Sequence, residues 1–397
     1  MPGIIALGLS YVFSQFYRSC LAVLAPYMTD DLGLNAADLG MASGAWFLVF
    51  AVMQLPVGVG LDRIGPRLTG GVLFGVGGAG GAAVFAIADG PVGVTIAMAL
   101  MGAGCAPALM SMFYIFARNF SMARFATLSS ITVGLGTLGN IAGTAPFAML
   151  VEAMGWRESM VAFALISAAI SAAALVLVQD PPRVETQAGE RADRGFLEYL
   201  ELMKMRVYWP IIPLAMINYA PAAGIRGLWA GPYLVEVFGA DAAAVGRATL
   251  WMAIAMSIGA FIYGPLDRIF GTRKWVILVG NTLAVGACAL IGVLPDVSFQ
   301  VSVLLIMAIG ALAATYTVVM AHARALAPLR LVGRAVTLMN FFVMLGVGLF
   351  QGLTGEVIEA GRHASGAVAA YGHLFLLYAV ALAGALAIYL FSQDAKP

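Results

Sequence analysis

Charge is what this sequence has least of. Its 21 lysines and arginines and 20 aspartates and glutamates make up 10% of 397 residues, against about 25% in a soluble domain. So few ions cannot cover a water-facing surface, which excludes an ordinary soluble globule and makes lipid the expected solvent. A net charge of +1 gives no sign of a nucleic-acid or acidic partner. The three cysteines, Cys20, Cys105 and Cys288, lie in apolar runs with neither CxxC nor metal-ligand spacing, and read as small buried hydrophobes. No nucleophile–base pair, phosphate loop or metal cluster stands out, so enzyme chemistry and a bound cofactor are not expected. The first apolar run, from Ile4, lacks a basic leader and a small-residue cleavage pattern, and it contains Arg18. It is expected to be a retained span rather than a signal peptide.

What is present is hydrophobic length. Apolar types fill 62% of the chain, in runs near the roughly 20 residues that cross about 30 Å of hydrocarbon. Twelve spans are predicted: 4–28, 40–61, 68–89, 91–117, 125–151 and 158–179, then 208–235, 242–266, 274–294, 297–322, 334–358 and 369–391. Continuous runs of this length exclude a β-barrel, which needs short alternating strands. Lysine and arginine set the orientation. With a cytoplasmic N-terminus, Arg63, Arg67, Arg118, Arg124, Arg268, Arg273, Lys274, Arg324, Arg330 and Arg334 fall inside, whereas Arg157, Arg247 and Arg362 fall outside. Both termini are therefore expected in the cytoplasm, at a bacterial inner membrane.

The one long polar stretch, 180–207, runs from Asp180-Pro181-Pro182 through Glu190-Arg191-Ala192-Asp193-Arg194 and separates residues 1–179 from 208–397. Within it Phe196, Leu197, Leu200 and Met203 fall near helical spacing. The segment reads either as an interfacial amphipathic helix or as a loosely ordered linker.

The two halves repeat each other. Pro26-Tyr27-Met28 returns as Pro232-Tyr233-Leu234, and Gly33 and Gly40 return as Gly239 and Gly246, at an offset of 206. Leu61-Asp62-Arg63-Ile64 returns as Leu266-Asp267-Arg268-Ile269 at 205, and Arg124-x-x-Thr127-Leu128 as Arg334-x-x-Thr337-Leu338 at 210. An even number of spans per half keeps both copies in one orientation, which predicts parallel repeats with a solute site near the midplane.

With these features the chain resembles the major facilitator superfamily. The most specific match is Gly58-Val59-Gly60-Leu61-Asp62-Arg63-Ile64-Gly65-Pro66-Arg67 between the second and third spans, with a degenerate copy from Gly264 to Arg273. Pro66 departs from the family pattern, where a basic residue is common. The resemblance implies an all-α membrane fold of twelve transmembrane helices in two six-helix halves, working by alternating access. It also implies a gating role for Gly58, Asp62, Arg63, Gly65 and Arg67, and for Asp267 and Arg268. Asp62 ends a helix, where the dipole disfavours an anion. It is therefore expected to pair with a cation or a helix N-terminus, and by resemblance that pair latches the outward-open state. Arg63 and Arg67 also fit a role in orientation alone. Gly134, Gly136, Gly139 and Gly143 resemble the glycine-rich fifth helix of family antiporters, and equally fit close packing.

Ionisable groups deep in a membrane cost about 2.5–3.5 kcal/mol on insertion scales, so they are candidates for function. Arg18 precedes Met28 by ten residues and Arg226 precedes Glu236 by ten, which predicts similar depth in the first and seventh spans. Repeat alignment sets Arg18 against Gly224 instead, so the pair is not strictly symmetric. Facing a common cavity, two guanidinium groups would attract a carboxylate or phosphate. This resembles the organophosphate antiporters, which use one arginine in each of these spans. Either arginine could instead snorkel or bond backbone carbonyls.

Tyr17, Tyr114, Asn218, Tyr219, Trp229, Trp251 and Asn340 could hold the rest of a solute, or simply pack. Pro221 and Gly224 could break or kink the seventh span. His322 is read as solvated or carbonyl-bonded rather than as a proton carrier. No good mid-membrane acid is found, which favours anion exchange or facilitated movement over proton symport.

The leading expectation is a monomeric transporter of a small organic anion. Alternatives are a neutral or ring-bearing nutrient such as a vitamin or nucleoside, copper held by Met252 and Met256, and a sensor built on a transporter fold.

Overall fold

In hydrocarbon every backbone N–H and C=O must find its partner inside the protein, and a helix meets that demand within one segment. The computed structural model describes residues 2–181, 196–328 and 331–395, and among these there are helices and no strands. Arg330 and the first part of the predicted linker, from Pro182 to Gly195, lie outside the described residues.

The twelve spans are helical. Nine described helices are long and apolar enough to cross a membrane, and Thr127–Ala142 with Ala145–Met154, bent by 42°, makes a tenth. The other two are interrupted. The first span, predicted as one run over 4–28, is Pro2–Tyr17 and Cys20–Leu32 with a break at Arg18 and Ser19. There the Ser19 hydroxyl bonds back to the carbonyls of Gln15 and Phe16, at 3.3 and 3.2 Å, which offers the backbone an alternative to the helical ladder. The seventh span, predicted over 208–235, is Ile211–Asn218, Ala220–Gly224, the π-helical Ile225–Trp229 and Ala230–Phe238. Pro221 has no N–H to give the ladder, so this span both breaks and rewinds. The second span is longer than predicted, Ala36–Arg63.

Packing gathers the chain into two compact units, Met1–Tyr27 with Ala45–Gly195, and Met28–Gly44 with Phe196–Pro397. In the first, Leu7, Met112, Phe116, Ala174 and Val178 form a buried cluster that joins the first, fourth and sixth spans. Gly136 sits against the Tyr11 ring, Gly139 against the Val12 carbonyl and Gly143 against the Ser19 hydroxyl. These three glycines seat the fifth span on the first, which is the packing role. Gly134 faces open space. In the second unit Gly346 meets the Met216 carbonyl in the same way, seating the eleventh span on the seventh. Leu165, Ile87 and Val176 in one unit, and Phe261 and Val380 in the other, stand exposed as bilayer-facing side chains do.

The duplication extends to backbone angles. The positive-φ glycines among the described residues are Gly33 and Gly239 (67° and 64°), Gly65 and Gly271 (102° and 65°), and Gly155 and Gly366 (90° and 85°). Each pair is one turn drawn twice. A further device is repeated that the sequence reading did not anticipate. Asp180, just past the sixth span, accepts from the Arg67 N–H at 2.8 Å and so caps the third span. Asp394, just past the twelfth, accepts from the Thr272 hydroxyl at 2.5 Å and from the Arg273 and Lys274 N–H groups at 3.3 and 3.0 Å, capping the ninth. At Gly65 a methyl group would come within 2.6 Å of the Asp180 carboxyl carbon, so glycine is required both for the angle and for the cap.

The Asp394 cap has a measurable pH signature. Burial raises its pKa, but the Thr272 hydroxyl and the two N–H groups outweigh that and hold it below the usual carboxylate value. A carboxyl depressed in the folded state stabilises above its unfolded pKa and loses that stabilisation as pH falls through the lower, folded value. Asp394→Ala is expected to lower stability by about 0.5–1 kcal/mol near neutrality, in the range of a helix cap. In thermal melts the gap from wild type should close as pH drops below about 4; a gap independent of pH would contradict the assignment.

The second part of the predicted linker is the helix Phe196–Lys204. Leu202 is fully buried while Leu200 and Met203 are exposed. Glu198 forms an ion pair with Arg334, whose guanidinium also lies 5.6 Å from the Tyr199 ring. The helical alternative holds for this stretch, and its anchor is the eleventh span.

Candidate functional site

Arg18 occupies the break in the first span, where a guanidinium needs compensation for leaving water. Aromatic faces supply it. Its central carbon lies 5.2, 5.9 and 5.6 Å from the ring centroids of Trp46, Phe47 and Phe50 on the second span, within cation–π range. Trp46 and Phe50, one turn apart, stack at 5.0 Å and 12°. Gly102 of the fourth span, with no side chain, lets the Trp46 backbone come close and fixes the box from behind. The arrangement leaves donors unused. Arg18 Nε and Trp46 Nε1 are buried and have no acceptor among the described residues. A cation beside a second orphaned N–H is a receptor for an anionic oxygen.

Arg226 lies in the π-helical turn Ile225–Trp229 and is 5% exposed. Such turns concentrate at functional positions. Asn218, in the same span, donates to Asn281 Oδ1 at 2.5 Å and Thr315 Oγ1 at 2.7 Å, while its own Oδ1 has no partner. Trp229 Nε1 donates to Thr354 Oγ1 at 2.9 Å. The Tyr219 ring lies 5.4 Å from that of Tyr316, and Asn340 is half-buried on the eleventh span.

Other predicted residues are occupied elsewhere. Tyr17 is buried with its hydroxyl 2.8 Å from Ser167 Oγ. The Tyr114 ring lies 4.5 Å beneath Arg118, one turn on. Trp251 stands exposed. Met252 and Met256 share a helix face as their spacing predicts, and that face packs on Gly310. No cluster of three histidine, cysteine, aspartate or glutamate side chains placed to hold a metal occurs among the described residues. His322 is buried, with Nε2 donating to the Gln393 carbonyl at 2.8 Å and Nδ1 2.6 Å from the Tyr389 hydroxyl, which is the carbonyl-bonded arrangement.

Among the gating residues, Asp62, Arg63 and Arg67 are exposed and Gly58 faces open space. Arg67 also donates from Nε to the Leu175 carbonyl at 2.5 Å. In the second copy Asp267 forms an ion pair with Arg273, at 3.1 Å, while Arg268 is exposed. Adjacent residues on a helix point about 100° apart, so a carboxylate buried on one face cannot reach the cation beside it in sequence.

Trp46, Phe47 and Phe50 escaped the sequence reading, although aromatics at i, i+1 and i+4 in a span are a signal that a neighbouring cation gives meaning. Gln351 escaped too. It is fully buried on the eleventh span and both of its amide atoms lack partners among the described residues. An amide inside an apolar run was the available clue.

Twelve helical spans and turns duplicated between the halves define a multi-pass membrane protein. Residues 7–226 match the sequence profile of the Major Facilitator Superfamily, and the chain belongs to that family. It is 25% identical over 276 residues to a hexuronate transporter of Bacillus subtilis (strain 168), covering 66% of this chain and 64% of that one. It is 26% identical over 273 residues to a probable L-galactonate transporter of Escherichia coli (strain K12), covering 63% and 56%. The matches thus span less than two thirds of these relatives' lengths. Among solved structures, a bacterial homologue of the human lysosomal transporter Spinster superposes with a TM-score of 0.82 at 18% identity, covering 98% of this chain and 96% of that one. At that identity the likeness is one of fold.

Proposed function

We propose that the protein is a secondary transporter that carries a small organic anion across a bacterial inner membrane by alternating access. It acts as a monomer with both termini in the cytoplasm, and rocks residues 1–179 against 208–397 about the 180–207 linker. The observation that carries this reading is the Arg18 box, a guanidinium held by three rings whose Nε, like the neighbouring Trp46 Nε1, has no acceptor among the described residues. Arg226, buried in the seventh span, is the other cation to which the reading gives a part in binding charge. Relatives named as a hexuronate transporter, a probable L-galactonate transporter and, in Agrobacterium vitis, a putative tartrate transporter support a carboxylate as the charged group. The lack of a mid-membrane acid in the sequence favours exchange of one anion for another over proton symport.

Purified protein in liposomes preloaded with an unlabelled sugar acid tests this reading. Labelled galacturonate, galactonate or tartrate should enter, faster with the preload than without it. Liposomes that take up none of these acids, yet accumulate a neutral nutrient, would remove the anion reading.

A further inference from the structure

In the second unit, polar groups converge on a position that has no side chain. Gly224, which repeat alignment sets against Arg18, lies in the seventh span just before the π-helical turn. A methyl group at Gly224 would collide with the Tyr378 hydroxyl and lie 3.5 Å from Gln351 Oε1. Where the first repeat extends a guanidinium, the second therefore leaves its place to an amide and a phenol arriving from the eleventh and twelfth spans.

Gln351 and Tyr378 are both fully buried; among the described residues Gln351 Oε1 and Nε2 have no hydrogen-bond partner, and the polar neighbour of the Tyr378 hydroxyl is the Thr354 side chain. That threonine already accepts from Trp229 and donates to the Gln351 backbone carbonyl at 3.0 Å. The Tyr378 ring is held by stacking on Phe350 at 6.0 Å and 28°. The Gln351 backbone is pinned by Gly40, where a methyl group would sit 2.7 Å from its carbonyl oxygen. Both side chains are thus fixed in place, the Gln351 amide with neither polar atom bonded among the described residues and the Tyr378 hydroxyl sharing a Thr354 that is already bonded twice. A packing role would be met better by leucine and phenylalanine, because a buried amide without partners destabilises the fold.

We infer that Gln351 and Tyr378 form a subsite for solute hydroxyl groups, so that the cargo is a hydroxylated carboxylate such as a sugar acid rather than a simple carboxylate or a phosphate. This rests on the anion reading above. A carboxamide offers one acceptor and two donors, and a phenol one of each. That set can both donate to and accept from a hydroxyl, which an arginine cannot do. A site built to bond a hydroxyl also rejects the analogue that lacks it, since its own groups are then left unpaired.

Tartrate and succinate are four-carbon dicarboxylates that differ by two hydroxyl groups, and they supply the test. Uptake into proteoliposomes gives the preference of the wild type for tartrate over succinate. Gln351→Met and Tyr378→Phe, which keep volume and shape, are each expected to lower that preference about tenfold. Gln351→Met should also raise the melting temperature of solute-free protein, which separates lost recognition from lost folding. If both variants keep the wild-type preference, or the wild type shows none, the subsite is overturned while the anion reading stands. Wild-type liposomes that admit neither acid, nor galacturonate or galactonate, yet accumulate a neutral nutrient overturn both.

Discussion

Arg18→Ala is expected to abolish anion uptake at ordinary solute concentrations while leaving a folded, reconstitutable protein. A charge-assisted hydrogen bond contributes about 1.5–3 kcal/mol, so losing even one raises half-saturation at least tenfold, and a bidentate contact would lose more. Arg18→Lys should restore little. An ammonium keeps the charge but loses the planar fork and the stack on the Trp46, Phe47 and Phe50 rings. Trp46→Phe is the finer probe, because it keeps an aromatic face for the cation and removes one orphaned donor. Its expected cost is about 1 kcal/mol in half-saturation, with maximal rate little changed. Folding should suffer little in each case, since the cation–π contact is worth about 0.5–2 kcal/mol and an incompletely bonded cation no longer has to be buried. Concentration series in proteoliposomes, with melting curves on the same preparations, measure both quantities. An Arg18→Ala protein with wild-type half-saturation for its acid would place the charge-binding group elsewhere.

The sequence reveals architecture better than contact, for a physical reason. Twelve spans and two halves are legible because hydrocarbon imposes length and composition on every crossing, and because turns such as Gly65 and Gly271 must keep a residue tolerant of positive φ in both copies. Arg18 and Arg226 stand out in the sequence because a deep cation has few reasons to persist. Breaks are less legible. Ser19 looks like any small residue until its hydroxyl is seen bonding back to Gln15 and Phe16. Partner choice is legible least of all. Asp267 adjoins Arg268 in sequence but reaches Arg273 in space, and Asp180 and Asp394 looked like linker and tail while serving as helix caps. Aromatic side chains mislead in both directions. In so apolar a chain Trp46 drew no notice, whereas Trp251, weighed as a solute contact, stands exposed.

The largest structural effect is expected at the crossing that both units share. Gly139 rests on the Val12 carbonyl where the fifth span meets the first, and Gly346 on the Met216 carbonyl where the eleventh meets the seventh. In each case a methyl group would overlap backbone, not the end of a flexible side chain. Neither partner can rotate away, so the two helices must separate along their whole contact. Inserting volume into a packed interior commonly costs about 1–3 kcal/mol, and a rigid backbone clash belongs at or above the top of that range. Gly139→Val and Gly346→Val should therefore lose most of the folded, monodisperse protein in detergent, and Gly139→Ala and Gly346→Ala should melt well below wild type. Gly134→Ala, at a position that faces nothing within 4 Å, is the internal control and should melt with the wild type. The comparison discriminates because all the substitutions favour helix over glycine, so propensity alone predicts stabilisation throughout. A Gly346→Ala protein as stable as Gly134→Ala would mean that the seventh and eleventh spans do not meet at that glycine. The break that positions Arg226 would then need another support.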